Sequence, residues 1–407
     1  MRGMKRPTHL IHHPYQAPTE FLAPQPGVYK ASTVIFPDVA SIAQRDWMAK
    51  TGYTYGLHGT PTTFTLEERL ASLEGGVHCL LVPSGLAAIA HVNLALLNPG
   101  DEVLFPDNVY APNKAMITQE LARWGVHAVA YDPMSVDDLR SRLSSRSRLV
   151  WLEAAGSVTM EFPDLIAMVR TCREQGVRCV LDNTWGAGLA FNAFDLLPDS
   201  HERLGVDVTV HALTKYPSGG GDVLMGSIVT RDDALAQQLK LTHMRLGTGV
   251  GANDAELVLR SLPSIGLRYR AQDVAARTLA EWCARQDAVA QVLHPALPQA
   301  PGHDHWREVC VSTHEPQGMA AGIFSLVLSS SFSVAQVHAF CDGLRLFKLG
   351  YSWGGPISLV MTYNLSQVRR LATPQLQAGH LIRLCIGLES VEDLQADLLQ
   401  SMQQHLR

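Results

Sequence analysis

The sequence predicts an α/β protein: a mostly parallel β-sheet covered by helices on both faces, a smaller C-terminal α+β domain and an N-terminal arm. Apolar strand patterns alternate with helical patterns between residues 61 and 255, which is typical of a parallel sheet. Residues 256–407 begin with helical patterns and continue into strands, which indicates a second domain. Residues 1–60 are rich in Pro, Thr, Tyr and His without periodicity, so we interpret them as an arm that packing must hold in place.

The predicted elements of the large domain follow in a regular order. The first is the helical pattern FTLEERLASLEG, which stops at Gly75-Gly76. Strands are then predicted at 78–82, 102–107, 126–132, 147–154, 177–184, 206–213 and 223–230, and helices at 86–97, 112–124 and 164–176. The second domain contributes predicted helices at 252–262, 269–285 and 391–405 and strands at 322–329 and 380–389.

Composition excludes several classes of function. A chain of 407 residues with 46% hydrophobic and 17% charged residues predicts a globular protein of about two domains. Its net charge of −5 opposes binding to nucleic acid or to anionic lipid. The sequence has no apolar run long enough to span a membrane. We therefore expect the partner to be a small molecule or a second copy of the chain.

The cysteines and histidines predict neither a disulfide framework nor a metal site. The seven cysteines are scattered, odd in number and without a CxxC pair, which favours a reducing, cytoplasmic location. The N-terminus has no signal-peptide pattern. The histidines, including His12-His13, lack the spacing of metal ligands.

Polar residues follow several predicted strands, where an open parallel sheet binds its ligands. Ser84-Gly85-Leu86 lies where a strand turns into a helix, and the free N–H groups of a helix start suit a phosphate. Asp182 ends one apolar strand, and Lys215 follows the next one. Each signal alone has a plain explanation, a turn for Ser84-Gly85 and a turn cap for Asp182.

Together these residues indicate pyridoxal phosphate chemistry. Lysine is rarely buried unless it is paired or reactive, and desolvation makes its amine nucleophilic enough to form a Schiff base. A carboxylate is the usual partner of the pyridinium nitrogen. Tyr110 follows another strand and either stacks on the cofactor ring or covers the core. Arg383, inside an apolar strand, either forms an internal salt bridge or binds a substrate carboxylate.

The motifs resemble those of the Cys/Met-metabolism branch of pyridoxal-phosphate enzymes over most of the chain, from about residue 30 to the C-terminus. The stretches that carry the resemblance are YGLHGTPTTFTLEERLASLEGG, VPSGLAA, NVYAPN, LVWLEAAGSVTMEFPDL, VLDNTWGAGLAFNAFDL, HALTKYPSGGGDVLMGS, LGTGVGANDAELVLRSLPSIGLR, VLHPALP, GYSWGGPISL and HLIRLCIGLESVEDL. The resemblance implies an aspartate-aminotransferase-like (fold type I) fold, the cofactor pyridoxal 5′-phosphate and an amino-acid thioether as substrate. DNTWGAG, SVTME and YSWGG favour β-elimination of the carbon–sulfur bond over γ-elimination.

The resemblance also implies a role for each candidate residue, and a homotetramer of two dimers that share active sites. Residues 1–60 are then the arm that reaches the neighbouring subunit. The implied catalytic residues are Lys215, which binds the cofactor, Tyr110, which stacks on its ring, and Tyr55, which comes from the neighbouring subunit. The implied cofactor and substrate contacts are Asp182 at the pyridinium nitrogen, Ser84, Gly85, Leu86, Thr214 and His58 near the phosphate, and Arg383, Ser352 and Trp353 at the substrate carboxylate.

Two positions depart from the family pattern. Leu57 stands where the family usually has a phosphate-binding arginine, so either His58 substitutes for it or the phosphate loses one charge. Ala154-Ala155 replaces a typical Ser-Pro, which is expected to reshape the turn over the cofactor.

Three alternatives stay open to different degrees. No single residue excludes γ-elimination. A relative that binds the cofactor without catalysis is compatible with Leu57. A nicotinamide-dependent dehydrogenase is opposed because the first strand–helix turn, PSGLAA, is not GxGxxG.

Overall fold

Two β-sheets organise the chain, of which the computed structural model describes residues 6–13, 19 and 23–407. The strands are β1 (His78–Val82), β2 (Glu102–Pro106), β3 (His127–Tyr131), β4 (Ser147–Glu153), β5 (Arg178–Asp182), β6 (Val208–Ala212), β7 (Gly226–Thr230), β8 (Val289–Leu293), β9 (Ile323–Ser329), β10 (Lys348–Leu349), β11 (Leu359–Tyr363) and β12 (Gly379–Cys385). The helices are α1 (Arg6–Ile11), α2 (Val39–Ala43), α3 (Pro61–Glu74), α4 (Gly85–Leu96), α5 (Ala111–Ala115), α6 (Val136–Arg142), α7 (Leu165–Glu174), α8 (Asp233–Leu246), α9 (Ala252–Ser261), α10 (Ile265–Cys283), α11 (His303–Cys310), α12 (Val334–Asp342), α13 (Leu365–Val368) and α14 (Val391–His405).

The first sheet has seven strands in the order β1-β7-β6-β5-β4-β2-β3. Only β7 runs antiparallel to its neighbours, β1 and β6, so the predicted mostly parallel sheet is confirmed. Alternate residues of β4 enter different cores: Val150 and Leu152 pack on one face, and Leu149 and Trp151 on the other. Burial on both faces explains why the strands are almost continuously apolar.

The second sheet has five strands in the order β10-β11-β12-β9-β8 and is antiparallel except for the short β10–β11 pair. Helices α10, α12 and α14 share a hydrophobic core with this sheet. The predicted smaller α+β region is therefore present, although β8, β10 and β11 had not been predicted. The limits 61–255 and 256–407 stay predictions. No helix among the described residues is long and apolar enough to cross a bilayer.

Several helices differ from the sequence prediction, among them α6, α11, α12 and α13, which had not been predicted. The helix predicted at 112–124 is α5, which continues as a π-helical turn, Met116–Glu120, and a 3-10 turn, Leu121–Trp124. Helix α8 had not been predicted. Its apolar stripe is narrow, since Leu235 and Leu239 are its buried aliphatic residues, and a narrow stripe among Gln, Lys, Thr and His gives a weak periodic signal.

Much apolar surface of the N-terminal segment is uncovered within one chain. Ile35 and Val39 are 86% and 81% exposed, and Tyr55 is 45% exposed. By contrast, Leu10 is buried where α1 packs against α3. Exposed apolar side chains of this kind suit a surface that another molecule covers, so the neighbouring-subunit contact of this segment stays a prediction.

A buried ion cluster joins the segment between β11 and β12 to the carboxyl edge of the first sheet. Arg369, whose side chain is 1% exposed, contacts Asp107 through Nε at 3.2 Å and also contacts Glu161. Lys114 Nζ binds Asp107 Oδ1 at 3.1 Å. Asp132 lies farther from the Arg369 guanidinium, at 3.8 Å. Because Asp107 and Glu161 are fully buried, each of these charges depends on its partners.

Replacing Arg369 with Met should therefore destabilise the protein strongly. Removing one member of a buried ion pair typically costs about 3–5 kcal/mol, because the remaining charge is left unpaired. The measurement is urea unfolding of both proteins, compared by the transition midpoint.

The adjacent Arg370 provides a matched control. Its side chain is exposed, and its contact with Asp107 is a backbone N–H at 2.7 Å, which substitution keeps. Arg370→Met should change the free energy of unfolding by less than about 0.5 kcal/mol. Equal shifts for the two variants would contradict the importance of the ion cluster.

Candidate active site

A cavity of about 480 Å³ lies at the carboxyl edge of the first sheet, where it meets the loop after β10. Nine of the predicted site residues line it: Ser84, Gly85, Leu86, Tyr110, Asp182, Thr214, Lys215, Ser352 and Trp353. They come from five segments that are far apart in the chain. Four of these lie at the ends of first-sheet strands, and the fifth, which carries Ser352 and Trp353, follows β10 of the second sheet.

One end of the cavity is the start of α4. The Ser84 hydroxyl accepts the Ala87 N–H at 3.0 Å, so it caps the helix. The N–H groups of the first helical turn have no acceptor within the helix, and the helix dipole favours an anion there. A Cβ on Gly85 would lie 2.5 Å from the Ala212 Cβ, so only glycine lets the helix start this close to β6. This end of the cavity suits a phosphate.

Two carboxyl groups stand side by side at the base of the cavity. Glu153 and Asp182 are paired in register at the ends of β4 and β5. Burial raises the pKa of Asp182, while hydrogen bonds from Thr184 oppose that rise. Burial, with Asp182 as a second cause, raises the pKa of Glu153 well above its ordinary value. Neither carboxyl group has an ion-pair partner in the described part of the chain, so the site lacks the cation that a buried Asp182 requires.

Sequence analysis had missed Glu153, although it carries the same signal as Asp182. Its Oε2 accepts the Tyr110 N–H at 2.8 Å, which fixes the start of the loop that carries the Tyr110 ring. Burial raises the pKa of Tyr110, so its phenol is neutral at pH 7.

Lys215 lies in the wall of the cavity with its amine largely desolvated. Its Nζ donates to the Ser352 hydroxyl at 2.9 Å and lies 4.6 Å from the centre of the Trp353 ring. Burial, together with the positive charge of Arg383, lowers the pKa of Lys215 to about 8. No acid pairs with this amine within the described residues. At pH 7 about a tenth of it is therefore unprotonated and nucleophilic, a far larger fraction than for an ordinary lysine.

Arg383 lies next to the cavity on β12, 4% exposed. Its NH1 group donates to the Ser157 carbonyl at 3.1 Å, and its guanidinium faces the rings of Trp353 and Tyr363 at 5.3 and 5.2 Å. It forms no ion pair with any described acid, so the predicted alternative of an internal salt bridge is wrong. Ser157 and Tyr363 had not been predicted, because sequence does not show which residues face each other across two sheets.

Tyr55 and His58 lie outside this cavity. The His58 ring packs on Trp47 and its Nδ1 is 3.0 Å from the Thr54 hydroxyl. Burial lowers the pKa of His58 in the single chain, and the substitution of His58 for the arginine that Leu57 replaces stays a prediction. Whether a neighbouring subunit brings Tyr55 and His58 to the phosphate stays a prediction, as do the individual roles of the other site residues.

The cavity fits pyridoxal phosphate. A helix start suits the phosphate, Asp182 lacks an ion-pair partner that a pyridinium N–H would provide, and Lys215 presents an amine to the same cavity. Fold and cavity together define a pyridoxal-phosphate-dependent enzyme.

The chain belongs to the Cys/Met metabolism PLP-dependent enzyme family, which matches residues 7–403. It is 34% identical over 377 residues to cystathionine beta-lyase MetC from Escherichia coli K12, covering 91% of each chain. It is 31% identical over 402 residues to L-methionine gamma-lyase from Pseudomonas putida, covering 97% of this chain and 96% of that one. A crystal structure of metB from Corynebacterium glutamicum superposes with a TM-score of 0.85 at 25% identity, covering 99% and 98% of the two chains. These comparisons confirm the predicted family, fold and cofactor.

The lowered pKa of Lys215 predicts a distinct pH dependence of its reactivity. In cofactor-free protein, modification of Lys215 by formaldehyde and cyanoborohydride should reach half of its maximal rate near pH 8, because the neutral amine is the reacting form. Mass spectrometry of the peptide that contains Lys215 measures the rate.

Arg383→Met should move that midpoint to higher pH, since the Arg383 charge is one cause of the lowered pKa. Arg123→Met removes an exposed charge and should leave the midpoint unchanged. A midpoint above pH 10 in the parent protein would show that the Lys215 amine is not desolvated.

Proposed function

We propose that the protein cleaves L-cystathionine by β-elimination, giving homocysteine, pyruvate and ammonia with the consumption of one water. It also acts on cystine or other cysteine S-conjugates, and its natural role is in methionine biosynthesis. The observation that supports lyase chemistry on an amino acid is that Lys215 and Arg383, which has no acid partner among the described residues, both face the Trp353 ring, at 4.6 and 5.3 Å. This spacing holds an amino-acid carboxylate on one side of the ring and its Cα–H bond near the Lys215 amine.

Binding uses both ends of the cavity. The N-terminus of α4 and the Thr214 hydroxyl would hold the phosphate, Asp182 would bind the pyridine N–H, and Tyr110 would contact the cofactor ring. When bound, pyridoxal phosphate supplies an electron sink for the negative charge that develops at the substrate Cα. Arg383 forms a bidentate contact with the substrate carboxylate, which sets the direction of the Cα–H bond.

Lys215 carries the proton transfers. Its neutral amine takes the Cα proton. The electron pair of the Cα–H bond then forms a Cα–Cβ double bond, and the Cβ–S bond breaks with its electrons on sulfur. The Lys215 ammonium then lies within the same cavity as the departing thiolate and can return a proton to it; Tyr55 of a neighbouring subunit is the second candidate for this step. Low solvent exposure of Lys215 limits competing protonation by water.

The β-elimination proposal rests on DNTWGAG, SVTME and YSWGG, and the alternative is γ-elimination on the same fold. γ-Elimination requires further proton transfers at Cβ. The described cavity offers Lys215 as its amine base, and it contains no feature that excludes a second use of that base. The nature of the keto acid therefore decides between the two reactions.

The deciding experiment gives L-cystathionine to cofactor-loaded protein and identifies the keto acid by mass spectrometry. We expect pyruvate with homocysteine. 2-Oxobutyrate with cysteine would establish γ-elimination instead, and no keto acid from any thioether would support a cofactor-binding protein without lyase activity.

Lys215→Ala should reduce keto acid formation by at least about a thousandfold, because both the cofactor linkage and the Cα base are lost. Lys348→Ala removes an exposed lysine that does not line the cavity and serves as the control. Substantial β-elimination by Lys215→Ala would refute the assigned role.

We also propose a cytoplasmic homotetramer of two dimers in which Tyr55 completes the neighbouring subunit's site. The exposed apolar residues of the N-terminal segment support it, together with the position of Tyr55 outside its own cavity.

Subunit mixing tests this arrangement. Lys215→Ala and Tyr55→Ala should each be inactive, yet after dissociation and random reassociation the mixture should recover about a quarter of the parental activity, because half of the dimers carry one intact site of two. No recovery, with native mass spectrometry confirming mixed dimers, would place Tyr55 in the site of its own chain or outside any site.

A further inference from the structure

The Arg383 guanidinium is buried without an acid to balance it. Its described contacts are the Ser157 carbonyl, the Cys385 side chain and two aromatic faces, and none of them is an acid that is ionised at neutral pH. Burying an unpaired charge is costly unless other groups compensate. The rings of Trp353 and Tyr363 lie within the distance at which a cation is attracted to an aromatic face, and they provide that compensation.

The two rings differ in what else they contact. Trp353 lines the cavity and also receives the Lys215 amine at 4.6 Å, so a change at Trp353 affects both cations. Tyr363 does not line the cavity, and Arg383 is the cation described over its ring. Tyr363 therefore offers a way to alter the arginine without touching the lysine.

The sheet fixes Tyr363 in this position. It is the last residue of β11, and β11 is antiparallel to β12 with Met361 opposite Arg383 and Tyr363 opposite Leu381. Residues two apart on a strand face the same side of the sheet, so Tyr363 is the diagonal neighbour of Arg383. Burial raises the pKa of Tyr363 to about 12, which leaves its ring neutral at any working pH.

We propose that Tyr363 is a positioning residue that holds the Arg383 guanidinium in the plane required for a bidentate contact with the substrate carboxylate. The proposal rests on the role of Arg383 in the proposed function. Tyr363 contributes an aromatic face, whereas an acid in its place would neutralise the guanidinium and compete with the substrate.

The test compares two ligands that differ in the carboxylate. L-Alanine and ethylamine both present an amine to the loaded enzyme, but only L-alanine has a carboxylate and neither can eliminate a thiolate. Their Kd values follow from the change in absorbance of the bound pyridoxal phosphate. For Tyr363→Leu, which removes the ring, we expect the Kd of L-alanine to rise about tenfold and that of ethylamine to stay within about twofold.

Tyr363→Phe is the matched control, since it keeps the aromatic face and loses only the hydroxyl. Its Kd for L-alanine should stay within about twofold of the parent value. In turnover, Tyr363→Leu should raise KM for cystathionine with a smaller effect on kcat, because Lys215 is untouched.

Three results would overturn the proposal: no change in Tyr363→Leu, equal weakening of L-alanine and ethylamine, or Tyr363→Phe weakened as much as Tyr363→Leu. If Tyr363→Leu does not retain the cofactor, Tyr363→Met replaces it, because Met fills a similar volume. Loss of the cofactor from both variants also overturns the proposal, since a residue that orients only Arg383 is not needed for cofactor binding. If the parent enzyme forms no keto acid, the proposed function fails, yet the two Kd values still test Tyr363.

Discussion

The structure depends on one buried ion cluster, in which Arg369 joins Asp107 and Glu161. Lys215 follows β6 of the first sheet and Arg383 lies on β12 of the second. The distance between the proposed nucleophile and the proposed carboxylate-binding group is therefore set by how the two sheets meet. The cluster acts at that junction. Asp107 begins the loop that leads to Tyr110, and Glu161 binds the Asn108 amide at 2.9 Å. Separating these partners leaves a buried charge unpaired, so movement of the two sheets relative to each other is costly.

In contrast to the ion cluster, the charged residues in and beside the cavity have no ion-pair partners among the described residues. Arg383 is buried, and Asp182 and Lys215 are partly buried, without an ion-pair partner among the described residues, whereas the charges of the ion cluster are paired. Unpaired buried charges reduce stability, and proteins keep them where function requires them. In the proposed function, the cofactor would bring a pyridinium to Asp182 and the substrate would bring a carboxylate to Arg383. The unpaired set therefore marks the binding site more specifically than the shape of the cavity does.

The sequence was most informative where local pattern and topology coincide. Asp182 could be predicted because a polar residue that ends an apolar strand lies at the carboxyl edge of the sheet, and Glu153 could have been found by the same rule. Arg369 and Tyr363 could not, since their roles come from contacts with residues far away in the chain. Helix α8 was missed because its buried stripe is narrow. The sequence thus predicts residues at strand ends, but it does not predict which residues of the two sheets contact each other.

The contact of Arg383 with two aromatic rings reconciles the stability of the folded protein with the binding of a substrate carboxylate. A carboxylate beside the guanidinium would stabilise it more than a ring does, but the substrate carboxylate would then have to displace that partner. The faces of Trp353 and Tyr363 attract the cation without neutralising it, and the Ser157 carbonyl fixes one of its N–H groups. The remaining N–H groups keep their charge and direction for an incoming anion. Uncharged neighbours therefore allow the Arg383 guanidinium to be buried in the folded protein and still able to bind an anion.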